Sequence, residues 1–133
     1  VWLELFTYAA MLDLPAVHDV KTSIKIDWNR QDDIEIIGNE VDVTAMYGCR
    51  PVVISCKQST NPVSADTLNE LYVVARRIGG KYSIPILVTR SDIKQKHCGI
   101  YMKAREMKLN ILDASDLMSP DFKLRLLRTI ESN

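Results

Sequence analysis

Cysteine is scarce in this chain of 133 residues. Cys49, Cys56 and Cys98 are odd in number and never fall in a C-x-x-C spacing, which disfavours both a disulfide framework and a structural zinc site, so the thiols are read as reduced. Glycine and proline are sparse as well, five of each, and collagen, mucin and disordered tails are excluded by composition. No apolar run approaches the roughly 20 residues of a membrane span, and no basic-apolar-small leader opens the sequence. A soluble, cytoplasmic protein without a membrane partner is expected. His18 and His97 are the only histidines, and neither stands in a Ser-His-Asp pattern. No glycine-rich loop follows a strand, which removes the P-loop and Rossmann readings.

What is present is the balance of one globular domain, 47% hydrophobic and 26% charged, long enough to bury a core without staples. An amphipathic helix is already under way at Trp2, so residues 1–133 are expected to form a single domain that is the C-terminal part of a longer chain. The net charge is zero, but it is unevenly spread. Residues 1–47 carry nine acids and three bases, and residues 48–133 carry eight acids and fourteen bases. An acidic pocket beside a basic surface suits carboxylate-bound cations next to a phosphate backbone, and ordinary solvated faces fit the same distribution.

Helical spacing of Trp2, Leu5, Phe6, Ala9, Ala10 and Leu12 ends at Leu14-Pro15. Alternation predicts a strand over 17–28, a loop over 29–33, a short strand over 34–37, a Gly38-Asn39 turn and a strand over 40–47. Residues 51–57 are apolar on both faces, as a central strand requires. Ser64 is a good N-cap for a helix closed by Gly79-Gly80. A strand over 83–89, a helix over 98–108, a strand over 109–112 and a helix over 122–130 follow. The order predicts an α/β fold, a three-layer α/β/α sandwich on a central mixed sheet, with parallel neighbours after Lys57 and after Thr89.

Three residues carry the chemistry. Asp42 stands between Val41 and Val43 in a strand, where alternation sends it to the face opposite the valines, with Glu40 and Thr44. Such an acid needs a cation, a metal or a solvent-facing edge. Lys57 ends an apolar strand on the face of Ser55 and Val53, with Asp42 across the hairpin as its natural partner. The two form either a structural ion pair or the base of a hydrolytic metal site. Glu4, in the first turn of a helix, suits the helix dipole or a role as a second carboxylate. Arg76 and Arg77 at a helix C-terminus, with Lys94 and Lys96, form a candidate nucleic-acid face.

The segment Asn39-Glu40-Val41-Asp42-Val43, followed by Ile54-Ser55-Cys56-Lys57, resembles the core of PD-(D/E)xK, restriction-endonuclease-like nucleases. With Trp2-Leu3-Glu4 and Arg76-Arg77-Ile78-Gly79-Gly80 it is similar to the C-terminal nuclease domain of CARF-linked, CRISPR-ancillary endonucleases. The resemblance implies a metal-dependent endonuclease using Mg2+ or Mn2+, with Asp42 as metal ligand, Lys57 as catalytic lysine, and Glu4 facing the site. It also implies a homodimer, a DNA or RNA substrate, and an N-terminal CARF sensor of cyclic oligoadenylate serving antiviral defence. Ser55 stands where that family usually carries its second acid. The second metal-binding carboxylate is therefore expected from Glu4 or Glu40, with Gln58 adding an amide oxygen. The alternative is a domain of the same fold that binds nucleic acid or dimerises without cutting.

Overall fold

The most apolar stretches of the chain become β3 (Arg50–Lys57) and β4 (Ile84–Thr89), at the interior of a sheet ordered β1-β2-β3-β4-β5. Residues apolar on both faces need cover on both sides, and a central place supplies it. The computed structural model describes residues 2–27, 38–61 and 63–133, with side chains for all of these except 24–27 and 38–40. Strands β1 (His18–Asp27) and β2 (Gly38–Tyr47) join β3 as an antiparallel meander, while β4 and β5 (Asn110–Leu112) add in parallel. The mixed, three-layer sandwich expected from the sequence is the architecture found.

Two helical layers close it. Helices α1 (Trp2–Leu12) and α6 (Phe122–Glu131) bring Leu3, Ala10, Met11, Phe122, Leu126 and Ile130 onto Val43, Ile54, Ile86 and Val88. On the other face α2 (Ala65–Gly79) and α4 (Cys98–Glu106) pack Leu68, Leu71, Ala75 and Ala104 onto Val53, Leu87 and Ile111. No helix among the described residues is long and apolar enough to cross a membrane.

The structure corrects one expected turn. Gly38-Asn39 lies within β2, where Gly38 pairs with Asp27 and Asn39 with Ile26. Extending the hydrogen-bond ladder of a long antiparallel pair satisfies backbone groups that a turn at this point would leave open, and this outweighs the local turn preference. The loop expected over 29–33 and the strand expected over 34–37 lie outside the described residues. Two four-residue helices, α3 (Ile93–Lys96) and α5 (Ala114–Leu117), were not foreseen. A single turn shows no measurable periodicity.

The end of α2 depends on close approach. A Cβ on Gly79 would come within 2.4 Å of Pro51 Cγ and 2.5 Å of Ser83 Oγ, and that hydroxyl is already held by its 2.6 Å bond to Ala75 O. Neither neighbour has a free side chain to swing away. Gly79→Ala is therefore expected to cost about 1–3 kcal/mol, as overpacking does, read from urea unfolding of the two proteins. An unchanged midpoint would show that the α2–β3 contact yields more easily than its geometry implies.

Candidate active site

The regular alternation of β2 breaks at Asp42. Val43 and Ala45 lie under α1, whereas Val41, which the same period would put beside them, packs on the α2 face. Pairing with β3 runs from Tyr47↔Arg50 to Val43↔Ile54. Beyond it the Asp42 side chain turns toward β3, where Oδ2 accepts the Cys56 N–H at 2.7 Å. A carboxylate thus takes over a backbone donor that the diverging strand no longer serves. The expected placement of Asp42 on the face opposite both valines is corrected accordingly: its neighbours lie on opposite faces, and it reaches along the sheet.

This brings Asp42 within one residue of Lys57, the last residue of β3. Of the two alternatives for Asp42 and Lys57, the structural ion pair does not form, and Lys57 makes no ion pair among the described residues. Its carbonyl accepts the Arg90 N–H at 3.2 Å, so the carboxyl ends of β3 and β4 are tied together. In open α/β sheets that edge is where ligands bind. By alternation Lys57 shares the α2 face with Ser55 and Val53, and Ser55 lines a cleft of ≈ 30 Å³ with Val41, Thr67, Glu70 and Leu71.

Glu4 and Thr7 approach β3 from the α1 face, where Cys56 is buried. Burial pushes the Cys56 thiol up to about 12. The Thr7 hydrogen bond pulls it down, and the charges of Asp42 and Glu4 raise it further. Glu4 and Asp42 therefore both act on this one thiol. The Cys56 thiol stays protonated at neutral pH and is inert as a nucleophile. Iodoacetamide is expected to label exposed Cys49 and Cys98 in the native protein and to leave Cys56 unmodified, as peptide mass mapping would show. Labelling of native Cys56 at the rate of the other two would contradict this burial.

The candidate basic residues do not converge. Arg76 stacks on Tyr72, 5.7 Å from the ring centroid, and lines with Lys81 and Lys108 a cleft of ≈ 320 Å³ at the amino end of β4. With Arg77 it occupies the last turn of α2, the end remote from Lys57. Lys94 is engaged by Asp116 at 2.7 Å, and Lys96 is exposed beside it on α3. Two other groups stand at the carboxyl edge, Arg90, the first of the bases that run with Lys94 and Lys96 after β4, and Asp92, which reasoning from the sequence missed. Arg90 stacks on Trp2, its guanidinium 5.5 Å from the ring centroid. Asp92 has a buried Oδ1 without a hydrogen-bond partner among the described residues, and its position just past the end of a parallel strand was the available signal. The Glu40 side chain lies outside the described residues.

These observations test whether the donors suit a divalent cation. Among the described residues no three of His, Cys, Asp and Glu gather closely enough to hold a metal. The donors at this edge are oxygens: the Asp42 carboxylate, the Ser55 hydroxyl and the orphaned Asp92 oxygen. Mg2+ prefers oxygen and keeps several waters, so one or two carboxylates with a substrate phosphate satisfy it. The residues fit a hard cation of that kind and would not hold zinc by thiolates.

The sequence pattern described as "Card1-like, endonuclease domain" matches residues 1–129. The chain belongs to that family. This agrees with the resemblance read from its motifs. No curated protein matches the chain. Among solved structures, protein VC1899 from Vibrio cholerae superposes with a TM-score of 0.80 at 22% identity, over 98% of this chain and 33% of that one. Can2 from Sulfobacillus thermosulfidooxidans, solved in complex with cyclic tetra-adenylate, superposes with a TM-score of 0.76 at 18% identity, over 97% of this chain and 35% of that one. The chain thus spans about a third of the length of these two proteins. At such identities they share its fold.

Proposed function

We propose that this Card1-like endonuclease domain hydrolyses phosphodiester bonds with a divalent cation, Mg2+ or Mn2+, held where the amino half of β2 meets the carboxyl end of β3. The observation that carries the reading is the 2.7 Å bond from Cys56 N–H to Asp42 Oδ2, which fixes an acid beside the lysine that ends β3. Asp42 is the anchoring metal ligand. Oδ2 is held by the Cys56 amide, so the carboxylate is preorganised. When bound, the cation polarises the phosphoryl oxygen and makes a bound water more acidic. Lys57, on the α2 face of the same edge, orients the attacking water and offsets the charge that develops on the phosphoryl group. Glu4 adds negative potential from the α1 face, and Arg90, tied to Lys57 through its backbone, is placed for phosphate contact.

By the same family reading, the parent chain is an effector of CRISPR-linked antiviral defence. It would be a homodimer with an N-terminal CARF-type sensor that switches the nuclease on, with DNA or RNA as substrate. The solved complex of Can2 with cyclic tetra-adenylate supports cyclic oligoadenylate as the activator. The test is incubation of supercoiled plasmid, single-stranded DNA and single-stranded RNA with the protein, with Mg2+ or Mn2+ and with EDTA. Metal-dependent cutting of at least one substrate is expected. A folded full-length chain that binds nucleic acid in the presence of its activator yet cuts nothing would overturn the reading and leave a binding module of the same fold.

A further inference from the structure

Ser55 leaves the site one carboxylate short of the family's usual set, and the structure assigns a replacement. We infer that Glu70, on α2, supplies the second metal-binding carboxylate. The inference rests on the reading of Asp42 as the first.

Topology makes the placement possible. The crossover from β3 runs α2 back over the sheet, so the first turns of the helix lie above the carboxyl end of β3 while Arg76, roughly 9 Å further along the axis at 1.5 Å per residue, lies toward the other end. Leu68, Leu71, Val74 and Ala75 form the buried stripe of α2. Thr67, Glu70 and Val74, spaced three and four residues apart, share a flank of that stripe, and all three line the cleft of ≈ 30 Å³ with Ser55. Asp42 does not line this cleft but reaches its strand end from β2: it follows Val41, which does line it, and its carboxylate is bonded to the amide that follows Ser55.

The chemistry is complementary. A glutamate side chain at 55 would extend into this cleft. The short serine leaves it open with the room that a water molecule or a small cation needs. Ser55 and Thr67 contribute neutral hydroxyl oxygens, and Glu70 the charge that they lack. Glu70 makes no ion pair among the described residues that would hold it elsewhere. Glu4 is less well placed for this role. It belongs to α1, which packs on the sheet face opposite α2, whereas Ser55, and by alternation Lys57, belong to the α2 face.

The test reads metal affinity rather than cleavage. Mn2+ is titrated into the purified protein without nucleic acid, followed by calorimetry or by the loss of free-ion paramagnetic signal. Glu70→Gln keeps the shape of the side chain and removes its charge. It is expected to weaken Mn2+ binding on the order of 10–100-fold, the loss recorded even for groups that only support a ligand, with no shift in the unfolding midpoint. Adding Ser55→Glu to Glu70→Gln is expected to restore the affinity, because the acid returns to the same cleft from the strand side. Asp42→Asn separates the two readings. Wild-type affinity in Glu70→Gln with affinity lost in Asp42→Asn would overturn the role of Glu70 and leave Asp42 in place. Wild-type affinity in both would remove the metal site itself. Loss in Glu4→Gln alone would move the second acid to α1 and likewise overturn the inference.

Discussion

Lys57→Ala is expected to lower the single-turnover cleavage rate about 10²–10³-fold, the range found when one preorganised donor to a developing anion is removed, while the fold stays intact. The separation follows from where Lys57 sits. As the last residue of β3 it contributes its backbone to the sheet, accepting the Arg90 N–H through a carbonyl that alanine retains. Its side chain is half-buried and has no ion-pair partner among the described residues. Truncation therefore leaves no partner charge stranded, and the stability change should remain within about 0.5 kcal/mol, as at surface positions. Lys57→Arg should rescue little, because a planar guanidinium places its donors differently from a compact ammonium. Cleavage under saturating Mn2+, paired with urea unfolding of each variant, provides the measurement. Undiminished cleavage by Lys57→Ala would remove Lys57 from the mechanism.

The second large effect lies in the scaffold behind the site. Asp113 is fully buried. Its Oδ2 accepts the N–H groups of Ile93 and Lys94 at 3.2 and 3.0 Å, and its Oδ1 accepts the N–H and hydroxyl of Ser115 at 3.1 and 2.6 Å. One carboxylate thereby starts both α3 and α5. Asp116 completes a capping box with it and binds Lys94 and Arg125. Asp113→Ala strands three backbone donors, two of them only part-buried, and at 1–3 kcal/mol for each unsatisfied group the cost is expected to fall in the lower part of the range, roughly 3–5 kcal/mol. The effect carries a pH signature. Burial opposes ionisation of Asp113, but the Ser115 and Lys94 hydrogen bonds and the Lys94 charge outweigh it, and the carboxyl is held below its ordinary value of 3.8. A depressed native pKa means that this stabilisation is complete above the unfolded value and lost as pH falls through the native one. The gap in unfolding free energy between wild type and Asp113→Ala should therefore be constant near neutrality and narrow below about pH 3.8. A gap below 1 kcal/mol at pH 7, or one that does not change in acid, would contradict the network.

Much of the fold was legible because it depends on periodicity. The apolar run at 51–57 could only be a central strand, the stripe from Leu68 to Ala75 only a helix laid on a sheet, and the crossovers after Lys57 and Thr89 only parallel connections. The elements that escaped were α3, α5 and the extended start of β2. A four-residue helix held by a distant aspartate has no period of its own, and the turn preference of Gly38-Asn39 gives way to a ladder whose other half is ten or more residues earlier. Asp113-x-x-Asp116 did carry a capping-box pattern in the sequence, which is the signal that would have revealed α5.

The chemistry divides in the same way. The sequence by itself determined that an acid inside one strand and the lysine that ends the next stand on neighbouring strands, because consecutive strands of a meander pair whatever packs around them. It also determined the departure at Ser55. Only the tertiary structure decided how Asp42 points, because its direction follows from β2 parting from β3 and leaving the Cys56 amide to be satisfied. The same holds for the acid facing Ser55. Glu70 is remote from Asp42 in the chain and reads as an ordinary exposed helix residue, and what brings it to the cleft is the way α2 lies on the sheet, a consequence of packing that local patterns do not encode.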